Sequence, residues 1–285
     1  MRTFRVRALS ACVRVQGLPS VLRHQLFDLD DTLYSSSLGI AKACRQNIED
    51  FLAAKCGVSA DMASSLRTEL FCTYGSSLAG LLEMGYDVHP DEYHSFVHGR
   101  LPYENIKPEP QLRDLLRSIS KPKFIFTNSD MKHAKRVLER LGIEEECFEL
   151  IICFETLNPH LFLGKKASSQ VILKPSVRAI EAAVRLAGYE PHRTLFLDDS
   201  ERNIAAGKAV GLRTALVGKR VKTDEADYLV RDMDSLRHTI PEIWMDKLEE
   251  LEEDGSGDEH SAIMVLRNEV EESVRSASTT VMAYN

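Results

Sequence analysis

Between residues 104 and 244 short apolar runs alternate with amphipathic stretches, and this alternation constrains the fold more than any other feature of the chain. "KFIFTN", "FELIICFE", "TLFLDD", "LRTALVG" and "ADYLV" read as strands. "KPEPQLRDLLRSI", "DMKHAKRVLERLG", "SVRAIEAAVRLAG" and "SERNIAAGKAVG" carry apolar residues every three or four positions and read as helices, with "SLRHTIPEIW" closing the body. Parallel neighbours need a crossover between them, so the pattern predicts a parallel sheet with helices on both faces. One more strand lies upstream in "HQLFDLDDTLY". From residue 35 to 103 the periodicity is helical throughout, broken at Gly57, Gly75, Gly85 with Pro90, and Gly99 with Pro102. The expected architecture is an α/β core made of residues 24–34 and 104–244, with a helical cap, residues 35–103, inserted after the first strand.

The two ends read differently. Residues 1–23 hold five arginines and no acid, and residues 245–285 carry a net charge of −8, so the body keeps −4 of the total −7. A body of that sign lacks the broad basic surface of a nucleic-acid binder. The Arg-rich, Ser-containing leader matches an organelle transit peptide in composition, and a disordered leader is the alternative. "LEELEEDGSGDEHS" reads as the entry to an acidic, solvated tail. The six cysteines, at 12, 44, 56, 72, 147 and 153, form no CxxC pair and no metal-ligand spacing, which favours a reducing compartment. No apolar run approaches the ~20 residues a membrane helix needs. The expected location is the cytoplasm, with organelle targeting through the leader as the alternative.

In an open parallel sheet the chemistry gathers at the carboxyl ends of the strands. Here those ends carry Asp28 and Asp30, then Thr127 and Asn128, then Asp198 and Asp199, and Lys174 in "VILKPS" arrives at the same edge. Continued as a strand, Asp28 and Asp30 would share a face and Asp31 would point away. Like charges sharing a site are costly unless a cation or a shared proton relieves them. The edge therefore asks for a metal, a substrate or both. An Asp cluster after one strand is more often a turn or helix cap, and only its repetition at several strand ends favours catalysis.

"FDLDDTLY", "FIFTNSD", "ILKPS" and "TLFLDDSERNI", in this order and spacing, resemble the four motifs of the haloacid dehalogenase superfamily of phosphohydrolases. More narrowly, "TNSDMKHAKRVLERLGI", "CFE" and "KPS" resemble the pyrimidine 5′-nucleotidase group, in which a helical cap follows the first strand. The resemblance covers residues 24–244. It implies a Rossmann-like core and a Mg2+-dependent phosphomonoesterase, with a nucleoside 5′-monophosphate such as UMP or CMP as its small-molecule partner.

The resemblance makes Asp28 the nucleophile that forms an aspartyl-phosphate, and Asp30 the acid/base that protonates the leaving oxygen and then deprotonates water. It places Mg2+ on Asp28, the backbone carbonyl of Asp30, Asp198 and Asp199, with the direct ligand among the last two left open. Thr127 would bind a phosphoryl oxygen, Asn128 would assist orientation, and Lys174 would offset the charge of Asp28 and the phosphate. Asp31 would hydrogen-bond the turn. Lys165 and Lys166 rival Lys174 but read as a solvated loop.

His94 and His98 stand four apart on an expected helix, a metal-pair spacing, but no third ligand accompanies them. Tyr74, Ser76 and Arg100 are candidate specificity residues of the cap. Two alternatives stay open: a phosphatase of a sugar phosphate, pyridoxal phosphate or nicotinamide mononucleotide, and a regulatory binding protein that has lost turnover.

Overall fold

Six strands form one parallel sheet among the described residues of the computed structural model, residues 22–163 and 170–244. The acidic tail, residues 1–21 of the leader, and Lys165 and Lys166 lie outside these residues. The strands are β1 (His24–Phe27), β2 (Lys123–Phe126), β3 (Leu150–Ile152), β4 (Thr194–Asp198), β5 (Arg213–Val217) and β6 (Tyr228–Val230). Their spatial order is β3-β2-β1-β4-β5-β6, so the chain reverses its direction of travel across the sheet between β1 and β4. The expected α/β class is therefore what the chain adopts.

Side-chain alternation along the strands assigns the two faces. Phe27, Ile125, Leu195, Leu197 and Val217 join one cluster, beneath α5 (Pro110–Ser118) and α6 (Met131–Leu141). Leu26, Phe124, Phe126, Phe196 and Leu216 join the other, beneath α8 (Val177–Ala187) and α9 (Glu201–Ala209). A strand buried on both faces reads as a continuous apolar run, which is why "KFIF" and "TLFL" do. The helices start where the sequence offers caps. The Asp130 carboxylate accepts the His133 N–H at the start of α6, and Ser200 accepts the Asn203 N–H at the start of α9. Gly142, at φ 71°, closes α6 in the left-handed conformation that a glycine adopts without strain.

Between β1 and α5 run α1 (Ile40–Lys55), α2 (Ala60–Tyr74), α3 (Ser77–Glu83) and α4 (Pro90–Val97). Phe51, Leu52, Leu70, Leu78, Leu81, Tyr93 and Val97 give these helices an apolar cluster of their own. Phe154 joins that cluster from the other side. "FELIICFE" was expected to be one strand, but β3 takes only three of its residues and Phe154–Leu157 forms a helical turn, α7. The physical reason is the ring of Phe154, which packs with the cap helices, edge-on to His94 at 4.7 Å, and so cannot lie against the sheet. Burying such a ring contributes about 2–3 kcal/mol. α10 (Leu236–Thr239) closes the body against β6. No helix among the described residues is long and apolar enough to cross a membrane.

Candidate active site

The reversal between β1 and β4 opens the sheet where a ligand crevice forms in folds of this kind. Asp28 leaves β1, Thr127 leaves β2, and Asp198 ends β4, so three adjacent strands deliver polar side chains to one place. Lys174 joins them. Its Nζ lies 2.7 Å from Asp28 Oδ1, 2.8 Å from Asp198 Oδ2 and 2.7 Å from the Phe126 carbonyl, and only 2 % of the residue is exposed. Burial alone would pull the ammonium down, but Asp198 and Asp28 raise it, so Lys174 is firmly charged.

The lysine is held by its backbone as well. Asn128 accepts the Lys174 N–H at 2.8 Å and donates to the Lys174 carbonyl at 2.9 Å, a two-point clamp between the end of β2 and the loop before α8. Asn158 makes the same pair with Ile172, at 2.7 and 2.9 Å.

Asp28 is buried, with Oδ2 accepting the Thr32 hydroxyl at 2.8 Å. Burial pushes its carboxyl well up, Lys174 opposes this, and Asp198 and Asp30 add to it. Asp198 is saturated: Oδ1 accepts the Ser200 N–H and the Asn203 amide, and Oδ2 accepts Lys174 and the same amide. Asp199 is half-buried and meets Lys219 at 3.4 Å, and burial and then Asp198 raise its carboxyl. Carboxylate oxygens of Asp28, Asp198 and Asp199 lie within 4.8 Å of one another, and no other such metal-binding group occurs among the described residues. The donor set is all oxygen and holds more negative charge than Lys174 balances, which suits a hard divalent cation.

Asp30 departs from the expected geometry. β1 ends at Phe27, and the chain turns through Asp31, whose φ of 60° is left-handed, so strand alternation does not reach Asp30. Its carboxylate has separate partners from that of Asp28. Oδ1 accepts the Tyr34 hydroxyl at 2.6 Å and pairs with His133 Nε2 at 2.7 Å. Oδ2 accepts the Ser129 hydroxyl at 2.8 Å, with Thr127 Oγ1 at 3.4 Å. Burial alone would raise this carboxyl, but the charge and hydrogen bond of His133, with those of Tyr34 and Ser129, outweigh it and hold Asp30 well below the usual range. Asp31 supplies a backbone conformation and not the expected turn hydrogen bond: its Oδ1 is buried without a protein partner, and burial, Asp199 and Asp30 push the carboxyl up to about 6.

Thr127 is buried and its N–H is spent on the Ile152 carbonyl, so its hydroxyl, which accepts the Ser129 N–H, is the group that faces the site. Thr32, Tyr34, Ser129 and His133 escaped the sequence reading; the signal available for the last two was their place in "TNSDMKHAKR", beside the predicted Thr127. His94 and His98 do not form a metal pair. His98 is bound to the Asp130 carboxylate at 2.5 Å, and burial, followed by His98, pulls His94 down to about 3. Arg100 also lies elsewhere, on the cap surface against Asp50 and the Phe96 ring. Ser76 caps α3. Gly75, beside Tyr74, faces the Lys174 loop: a Cβ there would stand 3.0 Å from Leu173 Cδ1.

The haloacid dehalogenase-like hydrolase family model matches residues 23–211. The chain belongs to this family. Among curated proteins, this haloacid dehalogenase-like hydrolase is 27 % identical over 195 residues to phosphate metabolism protein 8 of Saccharomyces cerevisiae, a match spanning 65 % of the chain but only 58 % of the yeast protein. It is 26 % identical over 202 residues to the phosphoglycolate phosphatase of Aquifex aeolicus, covering 68 % of the chain and 84 % of that enzyme. Among solved structures, CbbY from Rhodobacter sphaeroides in complex with phosphate shares the fold at a TM-score of 0.52 and 20 % identity, over 75 % of this chain and 96 % of that one. The narrower likeness to pyrimidine 5′-nucleotidases is not among these findings.

Proposed function

We propose that this hydrolase is a magnesium-dependent phosphomonoesterase working through a phosphorylated Asp28. The observation that carries the reading is the buried Asp28 carboxylate, fixed by Lys174 and Thr32 beside Asp198. Each carboxylate oxygen keeps a lone pair beyond its one hydrogen bond, so Asp28 is aimed but not blocked. Its oxygen attacks phosphorus, the ester P–O bond breaks, and the departing oxygen takes a proton from Asp30, one that must be taken up with the substrate because the free site holds this carboxyl ionised. Water then gives a proton back to Asp30 and attacks the phosphorus, releasing orthophosphate and restoring Asp28. Thr127 Oγ1 and the Lys174 ammonium meet the charge on the transferring oxygens.

Asp28, Asp199 and the Asp30 carbonyl would hold Mg2+, with Asp198 behind them. The saturation of Asp198 is what favours Asp199 as the direct carboxylate ligand. The ion would supply neutralisation of the phosphate dianion that a carboxylate must approach. The helical cap would close over the substrate and exclude water.

For the substrate we favour a nucleoside 5′-monophosphate, UMP or CMP first. The motif resemblance supports this, as does the aromatic surface at the α2–α3 corner. Phe71 is 52 % exposed and Tyr74 38 % exposed, and Phe71 lies beneath the Arg202 guanidinium of α9 at 6.0 Å. The phosphoglycolate phosphatase relative favours the second reading, a small phosphorylated acid. Phosphate release from UMP, CMP, phosphoglycolate and sugar phosphates, with magnesium and with chelator, separates them. Turnover of UMP or CMP that is lost with chelator and in Asp28→Asn is the expected result; a preference for phosphoglycolate overturns the nucleotide assignment, and an active Asp28→Asn overturns the nucleophile.

A further inference from the structure

The chain crosses between core and cap twice; one crossing brings a tyrosine hydroxyl to the Asp30 carboxylate and the other brings one to the histidine paired with it. Tyr34, on the outward crossing, donates directly to Asp30 Oδ1 at 2.6 Å. Tyr103, on the return crossing, lies 2.8 Å from His133 Nδ1, and the opposite ring nitrogen, Nε2, is 2.7 Å from that same Oδ1. His133 is 2 % exposed and Tyr103 3 % exposed. The two crossings are also bonded to each other, through the Asn105 amide and the Leu38 carbonyl at 3.0 Å. On the cap side the ring of His98 stands 4.7 Å from the ring of His133. Sheet, α6, both crossings and the cap thus meet at one carboxylate.

We propose that His133 and Tyr103 are positioning residues for Asp30, and that through them the aim of the acid/base carboxylate depends on the seating of the cap. The proposal rests on the phosphomonoesterase reading. A carboxylate accepts only, so the hydrogen between His133 and Asp30 sits on Nε2, and Tyr103 fixes the ring through its other nitrogen. This is the logic of a base oriented by a third group, built here around an acid. If the cap lifts, Tyr34 and Tyr103 move with the crossings, and Asp30 loses one direct and one indirect restraint together. Misplacing a reacting group by about 1 Å can cost 10²-fold in rate.

The test reads the first chemical step, because Asp30 also serves the second. Single-turnover release of the leaving group is measured from p-nitrophenyl phosphate, whose phenolate departs without a proton, and from an alkyl phosphate that the wild type turns over, with magnesium present. In His133→Ala the alkyl-to-aryl rate ratio falls about 30-fold, part of the 10²–10⁴ that general acid catalysis supplies. Tyr103→Phe lowers the ratio in the same direction. His133→Gln, whose amide can still donate to Asp30, restores part of it. Tyr103→Phe added to His133→Ala changes nothing further, since both act through one ring. Release of p-nitrophenolate reports in each variant that the fold and Asp28 are intact.

Equal losses on both esters would assign His133 and Tyr103 a purely structural role and overturn the proposal, as would no loss on either. A wild type inert towards both esters overturns the phosphomonoesterase reading, and the positioning roles fall with it.

Discussion

Lys174 is the buried cation that Asp28 and Asp198 share, and its removal exposes what it balances. Lys174→Met leaves Asp28 and Asp198 without the cation they share, a loss of about 3–5 kcal/mol. The sign with pH follows from the carboxyls. Asp28, whose folded-state value burial holds above that of the unfolded chain, contributes stability at low pH that is lost as the pH rises through the folded value. Because Lys174 opposes that rise, the variant, freed of divalent metal, should gain more stability than the wild type in urea titrations from pH 8 down to pH 5. At this scale the sequence was informative where the candidate residues follow an apolar run. Asp28, Thr127, Lys174, Asp198 and Asp199 could be named because the apolar runs before them locate the edge of the sheet. Tyr34, Ser129 and His133 could not, since a linker, a turn and a helix meet only after folding. Even Asp30, a candidate from the start, was misplaced, because the left-handed turn at Asp31 ends the strand geometry that would have put it beside Asp28.

Where α4 meets α6, the cap is tied to the core by His98 and Asp130. Burial opposes both charges. The histidine bond and charge nevertheless hold Asp130 well below its usual range, and the hydrogen bonds that His98 makes to Asp130 and with Cys44 raise His98. Asp130 contributes stability above its unfolded value near 4, lost as the pH falls towards its depressed one. His98 contributes below its unfolded value near 6.5, lost as the pH rises through its raised one. The pair is thus most stabilising between about pH 4 and pH 6.5. His98→Asn should cost about 3 kcal/mol at pH 6 and visibly less at pH 9 by chemical denaturation; a flat difference would show that the contact is not an ion pair. Helical periodicity placed His94 and His98 on one element without a third metal ligand, but periodicity describes one helix and not what faces it. The helices of the cap were readable for the same reason that their partner was not: their own spacing is local, whereas Phe154 reaches them from a segment that reads as strand.

For the whole molecule, strand order is what brings Asp28, Thr127 and Asp198 together, and that order was legible only as a class. Alternating strands and helices specify a parallel sheet but not which strand lies at its centre. The clamps made by Asn128 and Asn158 carry a consequence for how such a chain can vary. Each amide side chain pairs with both polar groups of one peptide residue, as a neighbouring strand would, and so re-registers the backbone just before it reaches Lys174. Whatever length of chain leaves α7, it is brought back to the same address. Five extra small polar residues placed between positions 163 and 170 should leave phosphate release from the wild-type substrate within about threefold, because lengthening a loop adds only a fraction of a kcal/mol. Asn128→Ala in the lengthened chain should then forfeit the activity that the insertion alone spares. Loop length and catalytic geometry would then be decoupled at this point, so that a graft between positions 163 and 170 would leave the lysine in its register.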